Sequence, residues 1–173
     1  MTATGPIGVF DSGIGGLTVL KEIVAKLPKH DTIYLGDTAR VPYGIRSAET
    51  ITRYARENAG FLVDQGISAL VVACNTATAV ALDDLKSRLP IPVFGVVEPG
   101  ARRAATLAPE GRIAVLATEA TVKSGAYERA IHAHAPHASV IGRPCPLFVP
   151  LAEEGWVDND VAKAAAAHYL GDL

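Results

Sequence analysis

"VVACNTATAV", residues 71–80, opens on β-branched and small apolar side chains of the kind that fill a buried parallel strand, and changes character at Cys74-Asn75-Thr76. From Thr76 onward the small and apolar residues suit a helix, so a strand passes almost directly into a helix with a thiol at the junction. A cysteine there is either a small core residue or a chemical group held at an edge where ligands bind.

The alternation extends in both directions. Short apolar runs predict strands at Ile7 to Asp11, Thr32 to Asp37, Ala69 to Cys74, Val93 to Val97, Arg112 to Thr118 and Ser139 to Gly142. Helical periodicity fills the gaps, from about Gly15 to Leu27, Ser47 to Gln65, Thr76 to Leu89, Pro99 to Ala108, Thr121 to Ala135 and Asp158 to Leu170. The clearest helix places Ile51, Tyr54, Ala55, Asn58, Phe61 and Leu62 at spacings of three and four, with Ser47 as N-cap and Gly66 as the stop. Strands alternating with helices predict an α/β fold with parallel sheets. Pro90 to Pro99 is the one soft seam, dividing the chain into a first domain at 1–97, carrying Asp11 and Cys74, and a second, partial domain at 98–173.

Composition narrows the function classes. The 173 residues are 49% hydrophobic, enough for a buried core, and 16 basic against 18 acidic residues leave a net charge of −2. No nucleic-acid footprint and no attraction to an anionic membrane follow from such a balance. The start MTATGPIGVF has no basic segment leading into a long apolar stretch, and no apolar run reaches the roughly 18 residues of a membrane span. A cytoplasmic location is expected, with Cys74 and Cys145 as free thiols in a reducing compartment.

The residues expected to end strands are Asp11, Asp37, Cys74, Glu98 and Thr118, a polar set at the sheet edge where ligands collect. Asp11-Ser12-Gly13-Ile14-Gly15-Gly16 reads as a tight turn with close backbone approach to an anionic ligand, or as a turn capped by Asp11. It lacks the G-x-G-x-x-G spacing and any following Gly-Lys-Ser/Thr, which disfavours a nucleotide. Gly36 to Gly44 is a loop carrying a rigid Pro42-Tyr43-Gly44, either a ligand loop or a surface turn with a packed tyrosine. At Cys74 the N-terminus of the following helix is expected to favour the thiolate, and Asn75 and Thr76 add hydrogen-bonding groups.

His132, His134 and His137 do not form a metal site by this reading: on a helix His132 and His134 point about 200° apart, and Pro136 interrupts before His137. No metal is expected. Cys145, between Pro144 and Pro146, reads as a structural thiol.

Taken together, "GVFDSGIGGLTVL", "GDTARVPYG", "VVACNTATA", "GVVEPG" and "VLATEATVKSGAY" resemble the glutamate racemases in order and spacing over essentially the whole chain. The resemblance implies two pseudo-symmetric α/β domains with the active site in the cleft between them, no cofactor, glutamate as small-molecule substrate, and a homodimer. It implies interconversion of L- and D-glutamate to supply D-glutamate for peptidoglycan, by a base on one face of the α-carbon and an acid on the other. On this resemblance Cys74 is the first of the two thiols, Asp11 tunes it or holds the substrate ammonium, and Glu153, beside Glu154, is the acidic partner in the second domain. Ser12, Pro42, Tyr43, Gly44, Asn75 and Thr76 hold the substrate, and Thr118 and Thr121 lie near its α-carboxylate.

The family's second thiol sits in a Cys-Thr-His motif. This sequence contains none. The resemblance therefore implies that the family's C-terminal third lies beyond this chain. Two alternatives stay open: another racemase of the superfamily, for aspartate or hydantoin, and a non-catalytic binding protein that has lost the second cysteine.

Overall fold

The computed structural model describes residues 5–171 and 173; residues 1–4 and 172 lie outside them. The chain forms two compact units, one ending at Val96 and the other beginning at Val97.

In the first unit, β1 (Ile7–Asp11), β2 (Thr32–Gly36), β3 (Ala69–Val72) and β4 (Val93–Gly95) form one parallel sheet in the order β2-β1-β3-β4. β1 is central, pairing Ile7 with Thr32 on one side and with Ala69 on the other, and its Val9 and Phe10 are fully buried. Helices α1 (Leu17–Lys26), α2 (Ala48–Asp64) and α3 (Asn75–Arg88) connect the strands. α2 starts where Ser47 accepts from the Thr50 N–H, and it buries Ile51, Ala55, Asn58, Ala59 and Leu62. Burial of each large apolar side chain such as Phe10, Ile51, Leu62 or Leu70 contributes about 1.5–3 kcal/mol. Phe61, expected on the packed face, is instead exposed, because α2 turns Ala59 and Leu62 inward.

This strand order positions the site. After β2 the chain crosses back past β1 to form β3, so the loops leaving β1 and β3 emerge from neighbouring strand ends and diverge, making a topological switch point. Asp11 and Cys74 both lie there, at the end of β1 and just beyond β3.

The second unit holds β5 (Arg112–Ala117) and β6 (Ser139–Pro144), parallel and paired from Arg112–Ser139 to Ala117–Pro144. α4 (Val97–Leu107) and α6 (Ala126–His134) pack through small residues, Ala101 and Ala105 meeting Ile131, Ala135 and Ala138. The remaining helices are α5 (Glu119–Ser124), α7 (Phe148–Glu153) and α8 (Asp160–Leu170). Phe148 and Tyr169 meet edge to face at 5.3 Å, joining α7 to α8.

Four further expectations are corrected. β4 stops at Gly95, so Glu98 does not end a strand; it lies in the first turn of α4, whose Pro99 is tolerated because N–H groups there have no intrahelical partner. The single helix expected from Thr121 to Ala135 is two, α5 and α6, broken where Gly125 takes a left-handed φ of 64°. α7 has no counterpart among the expected helices, and β6 runs on to Pro144 rather than ending at Gly142.

Candidate active site

Asp11 is 7% exposed and turns its Oδ2 back to accept from the N–H groups of Gly13 at 3.1 Å and Gly16 at 2.9 Å. That closes the glycine turn over the end of β1. Gly16 has no room for a side chain, since a Cβ there would come within 2.5 Å of Asp11 Cβ and 3.0 Å of Ala73 Cβ. The turn sets the half-buried Ser12 beside the end of β3.

Cys74 follows β3 and is the N-cap of α3. Its Sγ accepts from the Ala77 N–H at 3.3 Å and the thiol donates to Ser12 Oγ, also at 3.3 Å. The position satisfies a helix N–H that would otherwise lack a partner, which is a local reason for a polarisable side chain there. Thr76 is buried at 4% exposure and Asn75 lies exposed at the start of α3.

The expected lowering of the thiol by α3 does not prevail. Burial pushes the Cys74 thiol up and the nearby negative charge of Asp11 pushes it further, against the hydrogen bonds of Ser12 and Ala77 that favour the thiolate. The site therefore favours the thiol, and it holds two donors, the Ser12 hydroxyl and the Ala77 N–H, ready for a thiolate. A cation near Asp11 would offset the repulsion and bring the thiol down.

The loop after β2 is held by a buried polar cluster. Asp37, 8% exposed, forms an ion pair with Arg40 Nε at 2.7 Å and accepts from Asn58 Nδ2 at 3.2 Å and from the Tyr43 hydroxyl. Asn58 Nδ2 also donates to the Tyr43 hydroxyl at 2.9 Å, and Arg40 reaches Asn58 Oδ1 at 3.1 Å and Glu57. Pro42 follows a cis peptide bond and leads into a short 3-10 turn, Tyr43–Ile45, with Tyr43 and Gly44 buried. The Asp37 N–H donates to the Asp11 carbonyl at 2.9 Å, which ties this loop to the end of β1.

In the second unit Thr118 caps α5, its Oγ1 2.9 Å from Thr121 Oγ1 and accepting from the Thr121 N–H at 3.3 Å. Cys145 is buried, its thiol directed to the Arg143 carbonyl at 3.4 Å, and burial pushes it up. Glu153 ends α7 and, like Glu154, is exposed. His132 Nε2 lies 3.1 Å from the Ala138 carbonyl and His134 pairs with Glu98 at 2.6 Å. Among the described residues no three His, Cys, Asp or Glu side chains gather as a metal would require. Among the same residues no helix is long and apolar enough to cross a membrane.

The profile of the Asp/Glu/Hydantoin racemase family matches residues 7–169. The chain belongs to this family. Among its relatives is the glutamate racemase of Geobacter metallireducens, 61% identical over 167 residues that make up 96% of this chain and 62% of that protein. A solved glutamate racemase from Bacillus anthracis superposes with a TM-score of 0.91 at 40% identity, over 97% of this chain and 63% of that one. The glutamate racemase of Francisella tularensis, solved in complex with D-glutamate, gives a TM-score of 0.87 at 42% identity, over 98% of this chain and 63% of that one. The chain thus spans less than two thirds of the length of these racemases.

Within the first unit of this Asp/Glu/Hydantoin racemase family member, the structure brings together Asp11, Ser12, Cys74 and Thr76 at the switch point, and it binds Tyr43 into the neighbouring loop. Sequence reading misses Asn58, which it treats as one position on an apolar helix face. The signal that could have found it is its polarity: an asparagine on a buried face needs partners from elsewhere in the fold.

Proposed function

We propose that this chain supplies the first of the two catalytic thiols of a cofactor-independent glutamate racemase, in which Cys74 moves the α-proton of glutamate. The observation that supports it most directly is Cys74 at the switch point, hydrogen-bonded to Ser12 and facing the field of Asp11. An amino-acid α-proton is very weakly acidic, so its removal needs a base within hydrogen-bond reach, together with charge arranged to favour the proton's departure. The substrate ammonium beside Asp11 supplies that charge: it offsets the carboxylate that adds to burial in holding Cys74 protonated. The thiolate is then stabilised by the Ser12 hydroxyl and the Ala77 N–H, and it accepts the proton to regenerate the thiol.

Inversion needs an acid on the opposite face of the carbon. The family resemblance assigns it to a Cys-Thr-His motif, which this sequence does not contain, and the buried Cys145 is not assigned to it. Ser12, Pro42, Tyr43, Gly44, Asn75 and Thr76 are proposed to hold the substrate, the Thr118 and Thr121 hydroxyls to receive its α-carboxylate, and Glu153 to act as the acidic partner in the second domain, with the boundary near residue 97. In this reading the product D-glutamate serves peptidoglycan synthesis in the cytoplasm and the racemase works as a homodimer. Glutamate is preferred over aspartate or a hydantoin because a relative 61% identical over 167 residues is a glutamate racemase.

The test is proton NMR of L- and D-glutamate, each incubated with the chain in deuterium oxide. Loss of the α-proton signal from one enantiomer without inversion is the expected result. Equal exchange by Cys74→Ala would overturn the assignment of the base.

A further inference from the structure

Arg40 and Tyr43, three and six positions after Asp37 in one loop, converge with Asn58 from α2 on a single carboxylate oxygen, Asp37 Oδ2. An ionised carboxylate this deeply buried persists only where donors surround it, and here a guanidinium, an amide and a phenol do so. Arg40 is itself held over the Tyr54 ring at 4.2 Å, and Tyr43 packs on the same ring at 5.5 Å. Each member therefore has its orientation set by at least two others.

We infer that Asp37, Arg40 and Asn58 are positioning residues that hold the 42–44 turn of the substrate site through the Tyr43 hydroxyl, which is occupied inside this cluster rather than offered to glutamate. This rests on the proposed function only in calling the turn part of a glutamate site. Tyr43 is 1% exposed, and its hydroxyl donates to Asp37 and accepts from Asn58. Any contribution of this position to substrate binding then comes from the backbone of the turn. The Asp37 N–H bond to the Asp11 carbonyl fastens the cluster to the residue that precedes Ser12, so the turn and the thiol share one frame. A displacement of about 1 Å at a binding group lowers rates by up to about a hundredfold, which is why such a turn needs a rigid mount.

Two variants test this, Tyr43→Phe, which keeps the ring and removes the hydroxyl, and Asp37→Asn, which keeps the shape and removes the charge. Hydrogen–deuterium exchange of residues 37–46 is measured against residues 75–88 as internal control, alongside α-proton exchange of glutamate over a range of concentrations. In both variants amide exchange at 37–46 should rise about tenfold with 75–88 unchanged, and KM should rise about tenfold with kcat held within a few-fold, as expected when Tyr43→Phe removes the two buried hydrogen bonds of the hydroxyl and Asp37→Asn turns charge-assisted bonds into neutral ones. Wild-type protection of 37–46 overturns the inference. So does a loosened turn with KM unchanged, which would make the cluster a structural fastening only. A fall in kcat at constant KM in Tyr43→Phe also overturns it, by making the hydroxyl a group that acts on substrate. If the wild-type chain exchanges no glutamate, the proposed function falls, and protection at 37–46 alone decides whether the cluster holds the turn.

Discussion

The thiol of Cys74 donates to the hydroxyl of Ser12 across 3.3 Å, joining two loops whose residues are 62 positions apart in the chain. Removing either partner should act on reactivity more than on folding. Cys74→Ala is expected to lower α-proton exchange by about a hundredfold or more, the typical contribution of a positioned base. Its thermal midpoint should fall only modestly, because alanine fits the same buried place but leaves the Ala77 N–H without its cap, a loss of about 1 kcal/mol. Ser12→Ala keeps the thiol but removes a donor from the thiolate, so iodoacetamide should alkylate Cys74 more slowly at fixed pH.

Burial and Asp11 together hold Cys74 as a thiol. Asp11→Asn removes the repulsion, while the asparagine oxygen can still accept from Gly13 and Gly16, so the thiolate absorbance at 240 nm should appear at lower pH than in wild type. The stability sign follows from the same shift. A thiol raised in the folded state contributes stability that is fully present below the unfolded cysteine pKa, near about 8.5, and is lost as pH rises through the folded value. Denaturant midpoints should therefore fall above about pH 8.5 in wild type, and less steeply in Asp11→Asn.

Two glycines should respond to alanine with opposite signs. Gly16→Ala forces a Cβ to within 2.5 Å of Asp11 Cβ, and such overpacking costs about 1–3 kcal/mol. Gly60 lies inside α2, where a methyl group in place of its hydrogen would meet nothing within 4 Å. Gly60→Ala should stabilise by about 0.5–1 kcal/mol, since it removes the entropic penalty of glycine in a helix. Urea unfolding of both variants checks the pair.

Asp84 on α3 receives Arg56 of α2 in a fork at 2.7 and 2.6 Å and Arg88 at 2.9 Å, and these cations hold its carboxyl down at about 2. A lowered carboxyl contributes stability that is present above its unfolded pKa and lost as pH falls through the folded one. The wild-type protein should thus lose stability between about pH 4 and pH 2, and Asp84→Asn should flatten that part of the profile. Thermal melts across this range provide the measurement.

Much of the frame is legible in the sequence because its signals are local. β1 spans Ile7–Asp11 as the apolar run indicates, and Ser47 caps α2 as its position indicates. Caps, turn glycines and periodicity are properties of neighbouring residues, and they need no knowledge of what lies across the sheet. Where a signal is ambiguous locally it misleads: Gly125 could sit within a helix or break one, and only its left-handed φ of 64° decides. Glu98 looks like a strand end because it follows the apolar run Val93 to Val97, yet Val97 already opens α4, and the Pro99 after it is at home in a helix's first turn.

The amino-acid sequence alone already discloses the α/β alternation, the thiol at the strand-to-helix junction and the family to which the chain belongs. The sign of the Cys74 shift and the partners of Tyr43 come from the folded molecule instead. Both depend on charges and donors brought together by the β1–β3 pairing and by the packing of α2, so the controlling distances are set by the sheet order and not by separation along the chain. Electrostatic and hydrogen-bond energies follow those through-space distances and the burial around them, and neither is written in any one segment.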